Sequence, residues 1–230
     1  MFTALRRSIT QAPINTSRYY LRQWAQEAAS LGDGEQHRVL DVGAGDAPYR
    51  SLFSHVTYET ADLHVYQKQY SELDHVCDIT NMPMPDNTYD QVFCSQTLEH
   101  VREPVQALRE IARVLKPGGT AWLTAPFFYE EHEKPYDFFR YTSFGWEHMA
   151  ETAGLVVHEI DWLEGYFGTV SYQLNMAARS LPSNFIIRFV LLILSRHFAK
   201  ADIRQRVTDR GMCKNFRVVL GKPHPEAVNA

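Results

Sequence analysis

A glycine-rich turn at residues 38–50, RVLDVGAGDAPYR, contains the residue types that point most directly to ligand chemistry. It places Asp41, Gly43 and Gly45 directly after a run of β-forming residues. Glycines where a strand runs into a helix present backbone N–H groups that no Cβ shields from a ligand. Because a carboxylate attracts cations, Asp41 favours a ligand with an ammonium or sulfonium group over a phosphate. We therefore expect a polar, partly cationic small molecule at this turn.

Pro48 weakens the alternative that the turn binds a dinucleotide. The dinucleotide fingerprint has Gly or Ala three positions after its second glycine, and this chain has Pro48 at that position. A nucleotide-dependent oxidoreductase is therefore the less favoured interpretation.

Two histidines follow predicted strands and are candidate general bases. His100 lies in LEHV after the fourth predicted strand, and His132 lies in YEEHEKPYDFFRYT after the fifth. Histidine changes its charge near neutral pH without a strong perturbation, so either side chain could take a proton from a nucleophile. The alternative for each is a structural role, which for His100 would be at the start of a helix.

The loop that contains His132 is long, aromatic and charged, as substrate loops tend to be. We expect it to line the substrate pocket. The alternative for Arg140 is an ion pair with Asp137, three residues before it. The candidate substrate residues of this loop are Tyr136, Phe139, Arg140 and Tyr141.

The elements that must position these residues alternate between strand and helix. Apolar runs predict seven strands, and helical spacing with caps predicts the intervening helices. Such an alternation indicates a mainly parallel sheet covered by helices on both faces. The predicted strands are residues 37–43, 56–64, 75–79, 89–96, 120–128, 155–163 and 215–222.

The late part of the chain departs from this alternation, because two consecutive helices precede the last strand. We predict a single domain over residues 1–230, with an N-terminal helical segment (1–34), a cofactor-binding core (35–165), a helical insertion (166–212) and a final strand (213–222).

The apolar run at residues 185–194 is interrupted by Arg188 and is too short to span a membrane. We expect it to be a buried helix of the insertion. The alternative is a surface over residues 185–206 that docks on a membrane, a lipid-linked substrate or a second subunit, because basic residues follow the run closely.

Composition excludes several classes of partner and environment. The formal net charge of −4 provides no field to attract nucleic acid. Three cysteines without a C-x-x-C pair indicate neither a disulfide framework nor a thiolate metal site. No apolar stretch follows the arginines near the N-terminus, so we expect no secretory signal and a cytoplasmic location.

Four motifs, in this order and spacing, resemble the class I S-adenosylmethionine-dependent methyltransferases. They are VLDVGAGDAPYRSLF, YETADLH, CDITNMPMPDNTYDQVFCSQTLEHV and EIARVLKPGGTAWLTAPF. The chain is most similar to the small-molecule group that includes the ubiquinone- and menaquinone-biosynthesis enzymes. The similarity covers residues 35–165, and NFRVVLGKP matches the last, antiparallel strand of the family.

This resemblance implies a Rossmann-like α/β fold with a seven-stranded sheet and S-adenosylmethionine as cofactor. It assigns Asp41, Gly43 and Gly45 to the methionine part, with Asp41 facing the amino group. Asp62 would accept the ribose hydroxyls. The remaining cofactor residues implied are Asp78 and Ile79 at the adenine, and Ser95 and Gln96 in the methionine pocket. The chain departs from the family at Asp46 and Ala47, where serine, threonine or glycine is frequent.

A second resemblance bears on metal binding. Quinone-biosynthesis O-methyltransferases bind a divalent metal through Glu-x-x-Glu-His, and Gln96 replaces the first glutamate here. Glu99 and His100 alone are too few charged ligands, so we predict no metal.

The expected function is methyl transfer to an oxygen, nitrogen or carbon atom of a small molecule, such as a sugar or a lipid-linked intermediate, with the insertion as part of the acceptor site. Nucleic acid is disfavoured, since SQTL follows the fourth strand in place of the signature of amino-group DNA methyltransferases. The alternative is a non-catalytic cofactor-binding protein on the same fold.

Overall fold

The computed structural model describes residues 13–63, 72–181 and 185–224, which contain a seven-stranded sheet with the strand order β3-β2-β1-β4-β5-β7-β6. The strands are β1 (Gly34–Val42), β2 (Val56–Asp62), β3 (His75–Val76), β4 (Tyr89–Ser95), β5 (Leu115–Pro126), β6 (Val156–Trp162) and β7 (Asn215–Gly221). The helices are α1 (Thr16–Ala29), α2 (Pro104–Val114), α3 (Ser143–Thr152), α4 (Tyr166–Ser180) and α5 (Phe185–Arg204), with short 3₁₀ helices at Arg50–Phe53 and Leu98–His100.

The order of the strands reverses between β1 and β4. β1 pairs in parallel with both β2 and β4, and the pairs β2–β3 and β4–β5 are also parallel. Chain connections therefore leave β1 and β4 in opposite directions, which opens a crevice at their carboxyl ends. The predicted Rossmann-like α/β fold with a mainly parallel seven-stranded sheet is confirmed.

Side chains of the central strands and of α2 form the core beneath this crevice. Val39, Leu40 and Val92 are fully buried on β1 and β4. α2 buries Ala107, Leu108, Ile111 and Val114, which lie on one face of the helix. Pro104 begins α2 where the missing N–H of proline costs nothing.

Several strand boundaries differ from the sequence predictions, and two of the differences have a local cause. The third strand is limited to His75–Val76 because Asp78 turns the chain, accepting hydrogen bonds from the Thr80 backbone N–H and hydroxyl, both at 2.8 Å. The fifth strand begins at Leu115 rather than at residue 120, since Leu115 already has extended backbone angles.

The chain divides into two compact units. One comprises Arg22–Asp161 and Phe216–Ala230, and the other comprises Met1–Leu21 and Trp162–Asn215. The first contains the crevice, and the second contains α4 and α5, the two helices predicted before the last strand. The single-domain organisation stays a prediction, and residues 1–12 of its N-terminal segment lie outside the described residues.

The prediction that the apolar run at residues 185–194 is a buried helix is wrong. Phe185 and Ile186 are 67% and 74% exposed, and the residues that α5 buries, Ser195, Ala199 and Asp202, come after the run. The helix therefore packs through its carboxyl-terminal half and leaves apolar side chains in water. In the part of the chain that the structure describes, no helix has both the length and the apolar character needed to cross a membrane.

Candidate active site

A cavity of about 520 Å³ lies at the carboxyl ends of β1, β2 and β4, where the strand order reverses. Its volume is in the range of small-molecule sites. The structure brings eight of the predicted site residues to its wall: Gly43, Gly45, Asp62, Asp78, Ile79, Gln96, His100 and Tyr136.

The glycine turn brings the backbone close to the cavity. Gly43 has φ +73°, and a Cβ at this position would clash with the side chain of Thr97. The N–H groups of Gly43 and Ala44 donate to Ala61 O at 2.8 and 3.2 Å. The glycines therefore remove side-chain bulk, but their N–H groups do not point at a ligand as the sequence led us to expect, because they hold the turn against the end of β2.

Asp62 joins this turn to the end of β2. Its Oδ2 accepts from the Gly45 N–H at 2.9 Å, and its Oδ1 accepts from the Leu63 N–H at 2.7 Å. These two bonds fix the plane of the carboxylate. Carboxylate oxygens are acceptors of the kind that ligand hydroxyls require.

The opposite wall of the cavity is formed around Asp78 and Ile79. Both hydrogen bonds that Thr80 donates to Asp78 use Oδ1, so Oδ2 can accept from a ligand amino group. Ile79 is 8% exposed and presents an apolar surface to the cavity. This pair suits a flat heterocycle with an exocyclic amine.

Asp41 lies beneath the glycine turn rather than at the cavity wall. It is 3% exposed, and its Oδ2 accepts a hydrogen bond from the Tyr58 hydroxyl. Burial raises the pKa of Asp41 to about 7, the negative charge of Asp62 adds to this, and the Tyr58 hydrogen bond opposes it. No sequence pattern pointed to Tyr58, whose role depends on the pairing of β1 with β2.

Gln96 and Ser95 both attach to Thr124 at the end of β5. Gln96 lies in the left-handed region with φ +55°, and its backbone N–H donates to Thr124 O at 2.9 Å. Such a conformation persists only where surrounding contacts enforce it. Ser95 Oγ lies 3.0 Å from Thr124 Oγ1, and Ser95 does not reach the cavity wall.

The loop after β5 is held against the 3₁₀ helix Leu98–His100. The N–H groups of Phe138 and Phe139 donate to Glu99 O at 2.8 and 3.3 Å, and the Tyr141 hydroxyl donates to Leu98 O at 2.7 Å. Tyr141 therefore has a structural role, since its hydroxyl is used to hold the loop. Of the candidate substrate residues, the structure brings only Tyr136 to the cavity wall, and Phe139, Arg140 and Tyr141 lie outside it.

Arg140 forms the ion pair that the sequence left as the alternative. Its Nη1 and Nη2 donate to Asp137 Oδ1 and Oδ2 at 2.6 and 2.8 Å. The Asp137 side chain is 3% exposed and also accepts from the His132 backbone N–H at 2.8 Å. Arg140 holds the pKa of Asp137 well below its usual range. The pair therefore fixes the loop that positions His132.

The two candidate bases are neighbours. The rings of His100 and His132 meet edge to face with centroids 4.8 Å apart, and only His100 lies at the cavity wall. Burial lowers the pKa of His100. A histidine with a lowered pKa is neutral at physiological pH, which is the form that can take a proton.

Glu99, which the sequence analysis considered only as a remnant of the Glu-x-x-Glu-His motif, lies next to the candidate bases. It is fully buried, its pKa is raised to about 8 by burial, and neither of its carboxylate oxygens has a hydrogen-bond partner among the described residues. The signals in the sequence were its position next to His100 and the partial Glu-x-x-Glu-His motif.

Comparison with known proteins shows what the core of the chain is similar to. Residues 40–123 match the family model described as a methyltransferase domain. The ubiquinone/menaquinone biosynthesis C-methyltransferase UbiE of Pseudoalteromonas translucida is 31% identical over 141 residues, which cover 52% of this chain and 56% of that protein. The chain spans about half the length of the curated relatives it matches.

Solved structures show the same fold at lower identity. The cyclase SpnF has a TM-score of 0.57 at 20% identity, covering 89% of this chain and 81% of that chain. Phosphoethanolamine N-methyltransferase 2 of Haemonchus contortus, solved with S-adenosyl-L-methionine, has a TM-score of 0.56 at 15% identity, covering 93% of this chain and 54% of that chain. The sequence match over residues 40–123, the strand order and the glycine turn agree with one another: the core of the chain resembles the class I S-adenosylmethionine-dependent methyltransferases.

Proposed function

We propose that this protein transfers the methyl group of S-adenosylmethionine to an oxygen, nitrogen or carbon atom of a small-molecule acceptor. The observation that carries this proposal is the cavity at the reversal of strand order, with Gly43, Gly45, Asp62 and Asp78 in its wall. The Haemonchus contortus neighbour, solved with this cofactor, supports the same assignment.

Each part of the cofactor has a proposed partner in this site. Asp62 accepts from the ribose hydroxyls, Asp78 Oδ2 accepts from the adenine amine, and Ile79 packs on the ring. Gln96 bounds the methionine part from the cavity wall. Asp41 acts on the cofactor's ammonium group by charge from beneath the turn, since it does not reach the cavity wall.

The chemistry requires placement of the acceptor more than covalent participation by the protein. The sulfonium methyl group is already electrophilic, so the protein has to align a nucleophile, exclude water and remove a proton where the acceptor has one. His100 at the cavity wall, with His132 against its ring, is the proposed proton acceptor.

The acceptor end of the cavity favours an apolar ring. Val101, Tyr136 and Phe138 contribute to the wall near His100. UbiE is named as a C-methyltransferase of ubiquinone and menaquinone biosynthesis, which supports a carbon atom as one acceptor atom. A sugar acceptor is the alternative.

The direct test is methyl transfer from isotopically labelled S-adenosylmethionine to separate panels of quinol-like rings, sugars and lipid-linked sugars. We expect transfer to at least one panel by the natural protein and its loss in Asp62→Ala. Asp209→Ala, which changes an exposed acid in the other unit, should retain activity. Binding of the cofactor without transfer to any panel would favour the non-catalytic alternative.

We further propose that α5 associates with an anionic membrane surface from the cytoplasmic side. Phe185, Ile186, Val190 and Ile193 are each more than 40% exposed, and basic residues occur within and after this apolar run. Apolar side chains with a basic flank are typical of helices that lie in the membrane interface.

Co-sedimentation with vesicles that contain an anionic phospholipid tests this surface. We expect the natural protein to bind and Ile186→Glu/Val190→Glu to lose binding. Phe144→Glu is the matched control, because Phe144 is 77% exposed but lies on α3. Absence of binding by the natural protein would refute membrane association through α5.

A further inference from the structure

Three potential metal ligands converge beside the cavity although they come from two separate loops. Glu99 and His100 belong to the 3₁₀ helix after β4, and His132 belongs to the loop after β5. One donor atom from each of the three side chains lies within 4.8 Å of the other two. The hydrogen bonds from Phe138 and Phe139 to Glu99 O hold these loops together.

The burial of Glu99 is a second, independent observation that points to a cation. Its side chain is 0% exposed, and both of its carboxylate oxygens lack hydrogen-bond partners among the described residues. A buried carboxyl group without a partner is costly, so its presence requires an explanation. A bound cation would satisfy both oxygens.

The hydrogen bonds of the two histidines leave one nitrogen of each ring for coordination. His100 Nδ1 lies 2.8 Å from Tyr136 O, and His132 Nδ1 lies 3.2 Å from Glu130 O and 3.4 Å from Asp137 Oδ2. Carbonyl and carboxylate oxygens only accept, so each Nδ1 carries the proton in a neutral ring and each Nε2 has a lone pair. Metal-binding histidines are held in this way by their outer neighbours.

The distances between the donor atoms are slightly longer than those around a bound ion. His100 Nε2 lies 3.9 Å from Glu99 Oε1, and a second carboxylate, Glu133, has its Oε2 3.8 Å from the same nitrogen. Bonds of about 2.1 Å to a tetrahedral ion separate donor atoms by about 3.4 Å. Small rotations of the side chains, of which His132 is 29% exposed, would close this gap.

We propose that Glu99, His100 and His132 bind a divalent transition-metal ion of the zinc or manganese type. Two imidazole nitrogens and one carboxylate oxygen suit such ions. Three protein ligands leave a coordination position open. His100 itself lies at the cavity wall, so the ion would lie next to the cavity. The sequence prediction of no metal considered only ligands adjacent along the chain and omitted His132.

The metal site also limits the chemical class of the acceptor. This inference rests on the proposed methyl transfer. An open position would take a hydroxyl or carbonyl oxygen of the acceptor, and the charge of the ion lowers the pKa of a bound hydroxyl. With the ion in place, the two histidines act as ligands, and the bound hydroxyl releases its proton to water at its lowered pKa. His100 acts as the proton acceptor only in the ion-free site. The favoured acceptor class is therefore a ring with an oxygen substituent next to the methylated atom.

Calorimetric titration of the chelator-treated full chain with zinc chloride or manganese chloride alone tests the site. We expect one ion to bind per chain, and Glu99→Gln and His132→Ala to weaken binding at least about tenfold. His148→Ala, which removes an exposed histidine on α3, should leave binding unchanged. Because His132 is partly exposed, His132→Ala is expected to stay folded, and circular dichroism checks this.

Failure of both metals to bind saturably, or equal affinity of the natural protein and a folded His132→Ala variant, would overturn the proposal. Neither cofactor nor acceptor is present in this titration. Its outcome is therefore independent of whether the protein transfers methyl groups.

Discussion

The ionisation state of the buried Asp41 carboxyl group depends on the charge of a ligand bound above the glycine turn. The carboxyl group is enclosed beneath the turn, receives the Tyr58 hydroxyl and has its pKa raised by burial to about 7. It therefore titrates near physiological pH in the ligand-free protein. A cation bound above the turn would favour the ionised form.

We predict that affinity for S-adenosylmethionine rises with pH across the pKa of Asp41 at about 7, by up to about tenfold per pH unit on its acid side. The reason is that only the ionised carboxylate attracts the ammonium group. Calorimetry over this range measures the effect. Asp41→Asn should bind with an affinity that varies less with pH, and a profile identical to that of the natural protein would remove Asp41 from cofactor binding.

The raised pKa of Asp41 affects the stability of the ligand-free protein in the opposite direction, because this stability decreases as pH rises. The pKa of Asp41 rises from an ordinary value of 3.8 to about 7, so the folded chain binds more protons than the unfolded chain between these values. The contribution of Asp41 to the free energy of unfolding is therefore complete below pH about 4 and decreases as pH rises towards about 7.

Position 43 requires glycine, both for its backbone angle and for the space beside Thr97. We predict that Gly43→Ala weakens cofactor binding more than about tenfold, because the added Cβ meets the Thr97 side chain and the backbone has φ +73°. Gly154→Ala separates these causes, since Gly154 has φ +74° with nothing within 4 Å of the added carbon. Calorimetry of both variants should show a loss only in Gly43→Ala, and unaltered binding there would contradict this interpretation of the turn.

At the scale of elements, the site depends on the attachment of one loop to another. The loop after β5 contains no regular structure over the residues around His132, yet its backbone donates to Glu99 O and its Tyr141 hydroxyl donates to Leu98 O. Asp137 holds it internally through Arg140 and the His132 N–H. Order in this loop therefore comes from hydrogen bonds rather than from secondary structure.

We predict that Asp137→Asn lowers the free energy of unfolding at neutral pH by about 3 kcal/mol, because it leaves the Arg140 guanidinium without its buried partner. The pKa of Asp137 is lowered in the folded chain, so this stabilisation is present above its ordinary value of 3.8 and is lost as pH falls below it. Urea denaturation at neutral and acidic pH measures both. A variant as stable as the natural protein at neutral pH would show that the pair does not hold the loop.

Elements that depend on interactions between residues close in sequence could be predicted, whereas those that depend on contacts between distant segments could not. Local signals located the glycine turn and the strands, because turn chemistry and apolar periodicity act over a few residues. Tyr58 and Glu99 could not be placed in the same way, since their roles depend on strand pairing and on contact between two loops. The exposure of α5 was missed because an apolar run alone does not distinguish a buried helix from a surface helix.

At the scale of the whole molecule, the strand order accounts for the position of the site. Four predicted cofactor segments are far apart in sequence, at residues 41–45, 62, 78–79 and 95–96. Parallel pairing of β1 with β2 and β4 places the ends of these strands side by side. The resemblance predicted this arrangement correctly, because the family fold fixes which strands are neighbours.

The central claim is that this crevice binds S-adenosylmethionine, and calorimetric titration of the purified, ligand-free protein tests it most directly. We predict saturable one-to-one binding of S-adenosylmethionine and S-adenosylhomocysteine, no binding of NAD, and loss of binding in Asp62→Ala shown to be folded by circular dichroism. Absence of binding by the folded natural protein, or equal binding by Asp62→Ala, would contradict the account.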